Sequence, residues 1–324
     1  MRNTLNTNRK VLIVRFSSMG DIVLTSPVPR VLKTQLNAEI HFVTKSAFES
    51  LLSHNPYIDK LWLLEKGESV KSLAGRLQPT HFDFIVDLHK NIRSLSLSKL
   101  LGAPTSRFNK LNIEKWLFVN FKWDRLPKLH IVDRYLDTVS SLNAVNDERG
   151  LDFFIAPNQR YSILDSAFEN YVAFVVGAAH ETKQVPVSQA IPLLNHVCAP
   201  VVLIGGPDDE ARALQITEAI SGPVLNLTGK LSIQQSASVL DKAFLVMAPD
   251  TGMMHIAAAL KKPLVLFWGS TSKEFGMYPY YGRHDVPVLE IKVPDLKCRP
   301  CTKYGKAKCP RGHYKSMLQW NPME

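Results

Sequence analysis

Four turns in this sequence put polar or charged residues directly after short apolar runs, where chemistry can be done. In the first, Lys10-Val-Leu-Ile-Val-Arg-Phe16 passes through Ser17-Ser18-Met19-Gly20 into Asp21 and a helical apolar pattern. Backbone amides at such a turn suit an anion, and Ser18 and Gly20 stand where they would be presented. Asp21 has two readings: a first-turn acid that complements the helix dipole, or a carboxylate that takes the proton of a substrate hydroxyl. The second turn, Gly177-Ala-Ala-His-Glu-Thr-Lys183, offers small residues and one lysine, which suits a diphosphate but is also the composition of an ordinary solvated loop. The third, Ile204-Gly-Gly-Pro-Asp-Asp209, places an acid where it either caps a helix or bonds ribose hydroxyls. The fourth, Ala248-Pro-Asp250-Thr251-Gly252-Met-Met-His255, combines a carboxylate, a hydroxyl, close backbone approach and a histidine one turn on. Its amides would point at a phosphate; the plainer reading is an aspartate cap with a buried structural histidine.

A fifth constellation is Cys298-x2-Cys301-x7-Cys309-x3-His313. Three thiols and an imidazole could close a tetrahedral zinc site, yet the spacing after the first pair matches no common finger, and a reduced or locally cross-linked loop is the alternative. Other signatures are missing. There is no G-x-G-x-x-G fingerprint, no Walker A loop and no H-E-x-x-H. Nor is there a G-x-S-x-G elbow or a kinase set.

The elements that must hold these turns alternate. Strand-like runs at Lys10–Phe16, Glu39–Thr44, Lys60–Glu65 and Phe82–Leu88 are separated by helical patterns at 21–36, Ser46–Leu52 and Ser69–Leu77, and followed by one at Ile92–Leu101. Pro27 and Pro29 should bend the first helix. His130–Asn143 reads as a helix and Asn143–Asn158 as a hinge. Strands then recur at Tyr171–Val176, Val201–Ile204, Phe244–Met247 and Leu264–Phe267, with helices at Asp208–Ile220, Ser232–Leu240 and Met253–Leu260. This alternation argues for two doubly wound parallel α/β sheets in series, residues 1–158 and 159–324. Ligands of such sheets sit outside the carboxyl ends of the strands, and a cleft between two such domains is the expected site.

Length and composition agree. At about 100–200 residues per domain, 324 residues suit two domains, and 45% hydrophobic with 21% charged residues is a globular balance. No apolar run approaches the ~18 residues of a membrane span. Met1–Lys10 has no apolar leader and four cysteines make no disulfide framework, so a reducing cytoplasmic compartment is expected. The formal charge of +10 is either a solvated basic surface or the footprint of an anionic partner.

Taken together, these pieces resemble the ADP-heptose:lipopolysaccharide heptosyltransferases, glycosyltransferase family 9. Val11–Pro27 is similar to the family's opening signature, Val86-Asp-Leu-His-Lys-Asn91-Ile-Arg93-Ser94 to its mid-domain motif, and His130-Ile-Val-Asp-Arg134 to its hinge helix. Asp250–Pro263 is similar to its donor motif and Cys298–His313 to its tail. The resemblance runs in order through essentially the whole chain. It implies the GT-B fold, two Rossmann-like domains facing across a cleft, with the acceptor on the N-terminal one and the nucleotide sugar on the C-terminal one.

By the same resemblance, Asp21 is the catalytic base and Ser18 and Gly20 lie at the donor. Lys183 stands by the diphosphate, Asp209 by the ribose and Leu231 by the adenine. Asp250, Thr251, Gly252 and His255 contact diphosphate and sugar, and Asn91, Arg93 and Arg134 contact the acceptor. The implied reaction is an inverting transfer of a heptose or related sugar from an ADP-sugar to a phosphorylated, lipid-linked saccharide, without cofactor or nucleic acid, with peripheral contact at the inner membrane face. Three positions depart from the family pattern. Val185 replaces a tryptophan, Ser316 replaces a fourth cysteine, and the last helix is short before Glu324. Other readings stay open: another nucleotide sugar or acceptor, a nucleotide-binding oxidoreductase lacking its glycine fingerprint, or a basic, zinc-clasped nucleic-acid-binding protein.

Overall fold

The computed structural model describes residues 9–320. The expectation of no apolar leader at Met1–Lys10 concerns residues that lie largely outside them. The chain forms two compact units. One holds the described residues through Lys110 together with Ile131–Phe154; the other holds Leu111–His130 and the described residues from Ile155 onward. This division differs from a single cut at 158/159, because Leu111–His130 packs with the second unit.

The first unit is built on five parallel strands: β1 (Lys10–Val14), β2 (Glu39–Lys45), β3 (Lys60–Leu64), β4 (Phe84–Asp87) and β5 (Thr105–Arg107). Their order is β3-β2-β1-β4-β5, so the chain winds outward from β1, then returns to its other side. The second unit repeats the plan with β6 (Val172–Val175), β7 (Val201–Ile204), β8 (Val224–Asn226), β9 (Leu245–Pro249), β10 (Leu264–Phe267) and β11 (Val288–Ile291). Their order is β11-β10-β9-β6-β7-β8. The central strands are β-branched and apolar because helices cover both faces; β6 and β7 are buried throughout.

The helical pattern at 21–36 is two helices, Met19–Leu24 and Pro27–Leu36, rather than one bent helix. Pro27 takes the first helical position of the second, where its missing N–H costs nothing. The pattern at His130–Asn143 likewise splits, into the α-helix Ile131–Leu136 and a 3-10 turn Asp137–Leu142.

Arg30, on the helix Pro27–Leu36, is the largest wholly buried side chain of the protein's described residues. Its Nε and Nη2 each lie 2.8 Å from the two Asp147 oxygens, Nη1 donates to Asp152, and Nη2 donates to the Gly150 carbonyl at 2.8 Å. This fork ties the helix to the segment that closes the first unit. Burial works to raise the Asp147 pKa, but Arg30 outweighs it and holds the carboxyl below its ordinary value. A carboxylate so lowered contributes stability that is present above its unfolded pKa and lost as pH falls through its folded one. Arg30→Met should therefore cost about 3–5 kcal/mol, as when one partner of a buried pair is removed. Urea unfolding of both proteins at pH 7 checks this; a loss under about 1 kcal/mol would mean that water already screens the pair.

Candidate active site

In a doubly wound sheet the crevice opens where strand order reverses. In the first unit that point lies between β1 and β4, so the loops after these strands, Ser17–Asp21 and Leu88–Asn91, are the ones brought together. Asp21 stands in the first turn of Met19–Leu24. Its Oδ1 is 2.8 Å from Arg15 Nη2, and its Oδ2 accepts from Ser18 Oγ at 2.7 Å and from Ser18 N at 3.2 Å. Burial would raise its pKa; Arg15 and the Ser18 hydrogen bonds override that and lower it, so the group is ionised at neutral pH. Arg15 is itself buried and fixed: Nη1 donates to the Leu88 carbonyl and, at 3.1 Å, to Tyr135 Oη, while Nε donates to Ser17 O at 2.8 Å. Ser18, the N-cap residue, spends its hydroxyl on Asp21, and Gly20 is the second residue of the helix.

Sequence reasoning passed over His89, although it lies in the Asp87-Leu-His-Lys-Asn91 motif directly after β4. Its ring packs edge-on against Phe16 at 5.4 Å. Burial, then Arg15, push its pKa down to about 4 against the pull of Asp21, which keeps the imidazole neutral at pH 7. Its buried Nδ1 has no hydrogen-bond partner among the described residues. The signal available in the sequence was position: a histidine two residues past the strand that flanks the switch point.

Asn91 caps Ile92–Leu101, accepting from Ser94 N at 2.9 Å, while Ser94 Oγ accepts from Asn91 N at 2.9 Å. Beneath them Asp87 accepts from the amides of His89 and Lys90 at 3.0 and 2.7 Å and from Ser94 Oγ at 2.9 Å, which fixes the loop. Arg93 is exposed and makes no ion pair among the described residues. Arg134 is turned inward: it donates to the Asn109 carbonyl and lies 5.9 Å from the Phe108 ring, so it braces a loop.

The second switch point lies between β6 and β9. Lys183, in the 3-10 turn Glu181–Lys183 after β6, places Nζ 2.9 Å from Asp250 Oδ2 at the end of β9. Thr271 Oγ1 donates to the same oxygen at 2.7 Å. Burial would raise the Asp250 pKa; Lys183 and then Thr271 lower it. Asp250 is thus an ion-pair partner and not the helix cap; the N-cap of Gly252–Ala259 is Thr251, whose side chain makes no capping bond. The first amides of this helix have no intrahelical partner. His255 is buried one turn in.

Asp209 and Leu231 lie past the ends of β7 and β8. Asp209 accepts from Gly206 N at 2.9 Å, and its pKa is raised by burial against the pull of Gly206 and Arg212. It is seated on the β6 turn, since a methyl added at Gly177 would fall 1.9 Å from Asp209 Oδ2.

The cysteine tail packs on the lysine turn. Thr182 Oγ1 donates to Lys306 O at 2.9 Å and accepts from Lys306 N and Ser270 Oγ at 2.8 Å each, and Cys301 N donates to Ser270 O at 2.9 Å. Cys298 Sγ lies 3.7 Å from His313 Nε2. Burial and the neighbouring thiols push Cys301 up to about 11. Among the described residues, however, no group of three or more His, Cys, Asp or Glu is arranged to hold a metal ion, so Cys298, Cys301, Cys309 and His313 are not gathered as zinc ligands. What the tail does instead is brace the turn that carries Lys183.

Residues 70–308 match the model of glycosyltransferase family 9 (heptosyltransferase). Lipooligosaccharide heptosyltransferase 2 of Haemophilus influenzae is 32% identical over 96% of both chains. Lipopolysaccharide heptosyltransferase 1 of Campylobacter coli is 25% identical over 81% of this chain and 84% of that one. In fold the chain is similar to ADP-heptose lipopolysaccharide heptosyltransferase II of E. coli, with a TM-score of 0.71 at 20% identity over 97% and 95% of the two chains.

The seat of Asp209 gives a direct test of the second unit. Gly177→Ala must push the carboxylate aside. ADP affinity, measured by calorimetry, should then fall about tenfold, one charged hydrogen bond's share. Unchanged affinity in a folded variant would detach Asp209 from the nucleotide.

Proposed function

The chain belongs to glycosyltransferase family 9, and we propose that it moves a heptose, or a related sugar, from an ADP-sugar to an inner-core saccharide of lipopolysaccharide with inversion at the anomeric carbon. One observation carries this reading. An ionised carboxylate stands at the switch point of the first sheet, and a lysine beside a helix N-terminus stands at that of the second. These are the two charges such a displacement needs.

The donor lies on the second unit. Lys183 and the amides at Thr251 and Gly252 hold the diphosphate, Asp209 the ribose, Leu231 the adenine, and Asp250 and His255 the sugar side. The acceptor lies on the first unit near Asn91 and Arg93; Arg134 serves by fixing the loop beneath. The acceptor oxygen attacks the anomeric carbon as the bond to the diphosphate breaks, through an oxocarbenium-like transition state. The hydroxyl proton passes to Asp21, and the electron pair leaves on the ADP oxygen, where Lys183 and the helix amides stabilise it. The neutral His89 ring offers a hydrogen bond to the acceptor without competing for its proton. Similarity to lipopolysaccharide and lipooligosaccharide heptosyltransferases supports the heptosyl donor and the lipopolysaccharide acceptor. The setting would be the cytoplasmic face of the membrane that carries that acceptor.

Asp21→Asn should fold, bind ADP and lose transfer by about 10²–10⁴, the share of general base catalysis. In the parent enzyme the acid limb of kcat/KM should lie below the usual carboxylate range, because Arg15 and Ser18 lower the Asp21 pKa. Near-parental turnover of the variant would leave Asp21 a helix-start residue only. Preference for a GDP- or UDP-sugar over ADP-heptose would keep the transfer and change the donor.

Arg93→Ala should raise the acceptor KM about tenfold and leave donor affinity alone, as loss of a charge-assisted contact does. A lowered Tm with unchanged acceptor kinetics would return Arg93 to a structural role.

A further inference from the structure

We propose that the helix Asn112–Phe121 and the basic tail loop beside it form an anchor that lies in the surface of an anionic lipid bilayer. Its purpose rests on the lipid-linked acceptor of the proposed reaction; its chemistry is read from the surface itself.

The helix is apolar on the side that faces water. Ile113, Trp116 and Phe121 are 72%, 56% and 64% exposed, and Trp123 just beyond is 57% exposed. Spacings of three from Ile113 to Trp116 and of five from Trp116 to Phe121 keep all three on one outward side, which Asn120 shares. The opposite stripe holds Lys115 and Phe118, whose ring packs edge-on against Phe275 at 5.6 Å. The outward rings are ordered against one another: Trp116 and Phe121 stand 5.3 Å apart edge to face, and Arg125 stacks on Trp123 at 4.5 Å. A helix that needed only to pack on its own unit would carry polar residues outward. A contiguous aromatic patch in water marks a surface that enters another phase.

The flanking charge identifies that phase. Lys303–Arg311 carries Lys303, Lys306, Lys308 and Arg311 with no acid between them. This loop is fastened to the helix: Lys303 Nζ donates to Asn112 Oδ1 at 3.0 Å, and Lys122 Nζ donates to Pro300 O at 2.6 Å. Exposed Tyr304 adds a third kind of aromatic ring, 4.7 Å from Lys303 Nζ. Tryptophan and phenylalanine beside lysine and arginine are the composition of helices that lie in the headgroup layer. Each cation near such a surface is attracted to anionic lipid, and indole sits well where one side is apolar and the other wet. A second copy of the chain would bring two like-charged patches together. No helix among the described residues is long and apolar enough to cross a membrane, so the anchor would lie on the surface.

The test uses the full chain and two kinds of vesicle, pure phosphatidylcholine and phosphatidylcholine with about 30% phosphatidylglycerol, without donor or acceptor. Flotation should recover the protein with the anionic vesicles, not the neutral ones, and less of it at high salt. The triple variant Trp116→Ser, Phe121→Ser, Trp123→Ser should bind about tenfold less. It should keep its Tm, its ADP affinity and its transfer to a deacylated, water-soluble acceptor, while transfer to acceptor in vesicles falls. The proposal is overturned if the parent ignores anionic vesicles or the variant binds them equally. It is also overturned if the parent self-associates and the variant becomes monomeric, which would make the patch an interface between copies. Vesicle binding without any transfer from ADP-heptose would instead defeat the heptosyl reading and leave the anchor standing.

Discussion

A lysine ammonium 2.9 Å from a buried carboxylate governs the second unit. Lys183 and Asp250 come from adjacent strands that meet where the sheet reverses its order, so neither can be placed without both strands and their turns. The pair is enclosed, and in such surroundings one partner without the other would be expensive. The rest of the region holds the pair in register. Thr271 bonds the carboxylate, Ser270 bonds Thr182 of the turn, and Lys306 of the tail closes on Thr182. Gly269 is small because a methyl there would fall 2.4 Å from the Thr182 carbonyl. In the proposed reaction the lysine would therefore be positioned before the diphosphate arrives, which is how electrostatic stabilisation avoids reorganisation.

The first unit sets a pair of its own with the same topology. There the switch point carries a carboxylate held by a buried arginine, and the arginine's remaining donors go to the Leu88 carbonyl and Tyr135. One guanidinium thus links the ends of β1 and β4; with Ser18 it lowers the Asp21 pKa against burial, and it adds to the lowering that burial causes at His89. The first remains an anion and the second remains neutral. Two sheets of one design each place a cation–carboxylate pair at the switch point, Arg15–Asp21 in the first and Lys183–Asp250 in the second.

Much of this could be read in the sequence wherever an element is buried and regular. Val201–Ile204 and Leu264–Phe267 are strands with the bounds their apolar runs suggest. Elements at sheet edges left weaker traces. Thr105–Arg107 is three polar residues, and Val288–Ile291 is partly exposed, so neither shows a buried run. Val187–Asn195 carries Pro192 in its interior, which argues against a helix in sequence. The apolar residues of Asn112–Phe121 circle the helix, which blurs its period. The site residues were visible as turns after strands, but their partners were not. Arg15 reads as a strand end, and nothing in a chain of letters shows that Lys183 meets Asp250 or that Asp209 rests on Gly177. Pairings across a sheet are set by strand order, and strand order is a tertiary fact.

The lowered pKa of Asp21 conflicts with work as a base, because it means a weaker grip on a proton. The chemistry proposed for this chain removes the conflict. In an oxocarbenium-like displacement the acceptor hydroxyl is barely acidic at the start and becomes strongly so as its oxygen bonds to the anomeric carbon. Proton transfer then runs downhill late in the step, and a base need only be ionised, close and fixed. Arg15 and Ser18 supply the first and third of these conditions. They also leave the carboxylate's second interest, the acceptor, to be satisfied by exchange of one short hydrogen bond: Ser18 Oγ can yield Oδ2 to an incoming hydroxyl while Arg15 keeps Oδ1. The carboxylate would then accept a proton without losing its counter-charge, so the pair that weakens the base is also what keeps it in place to receive the proton.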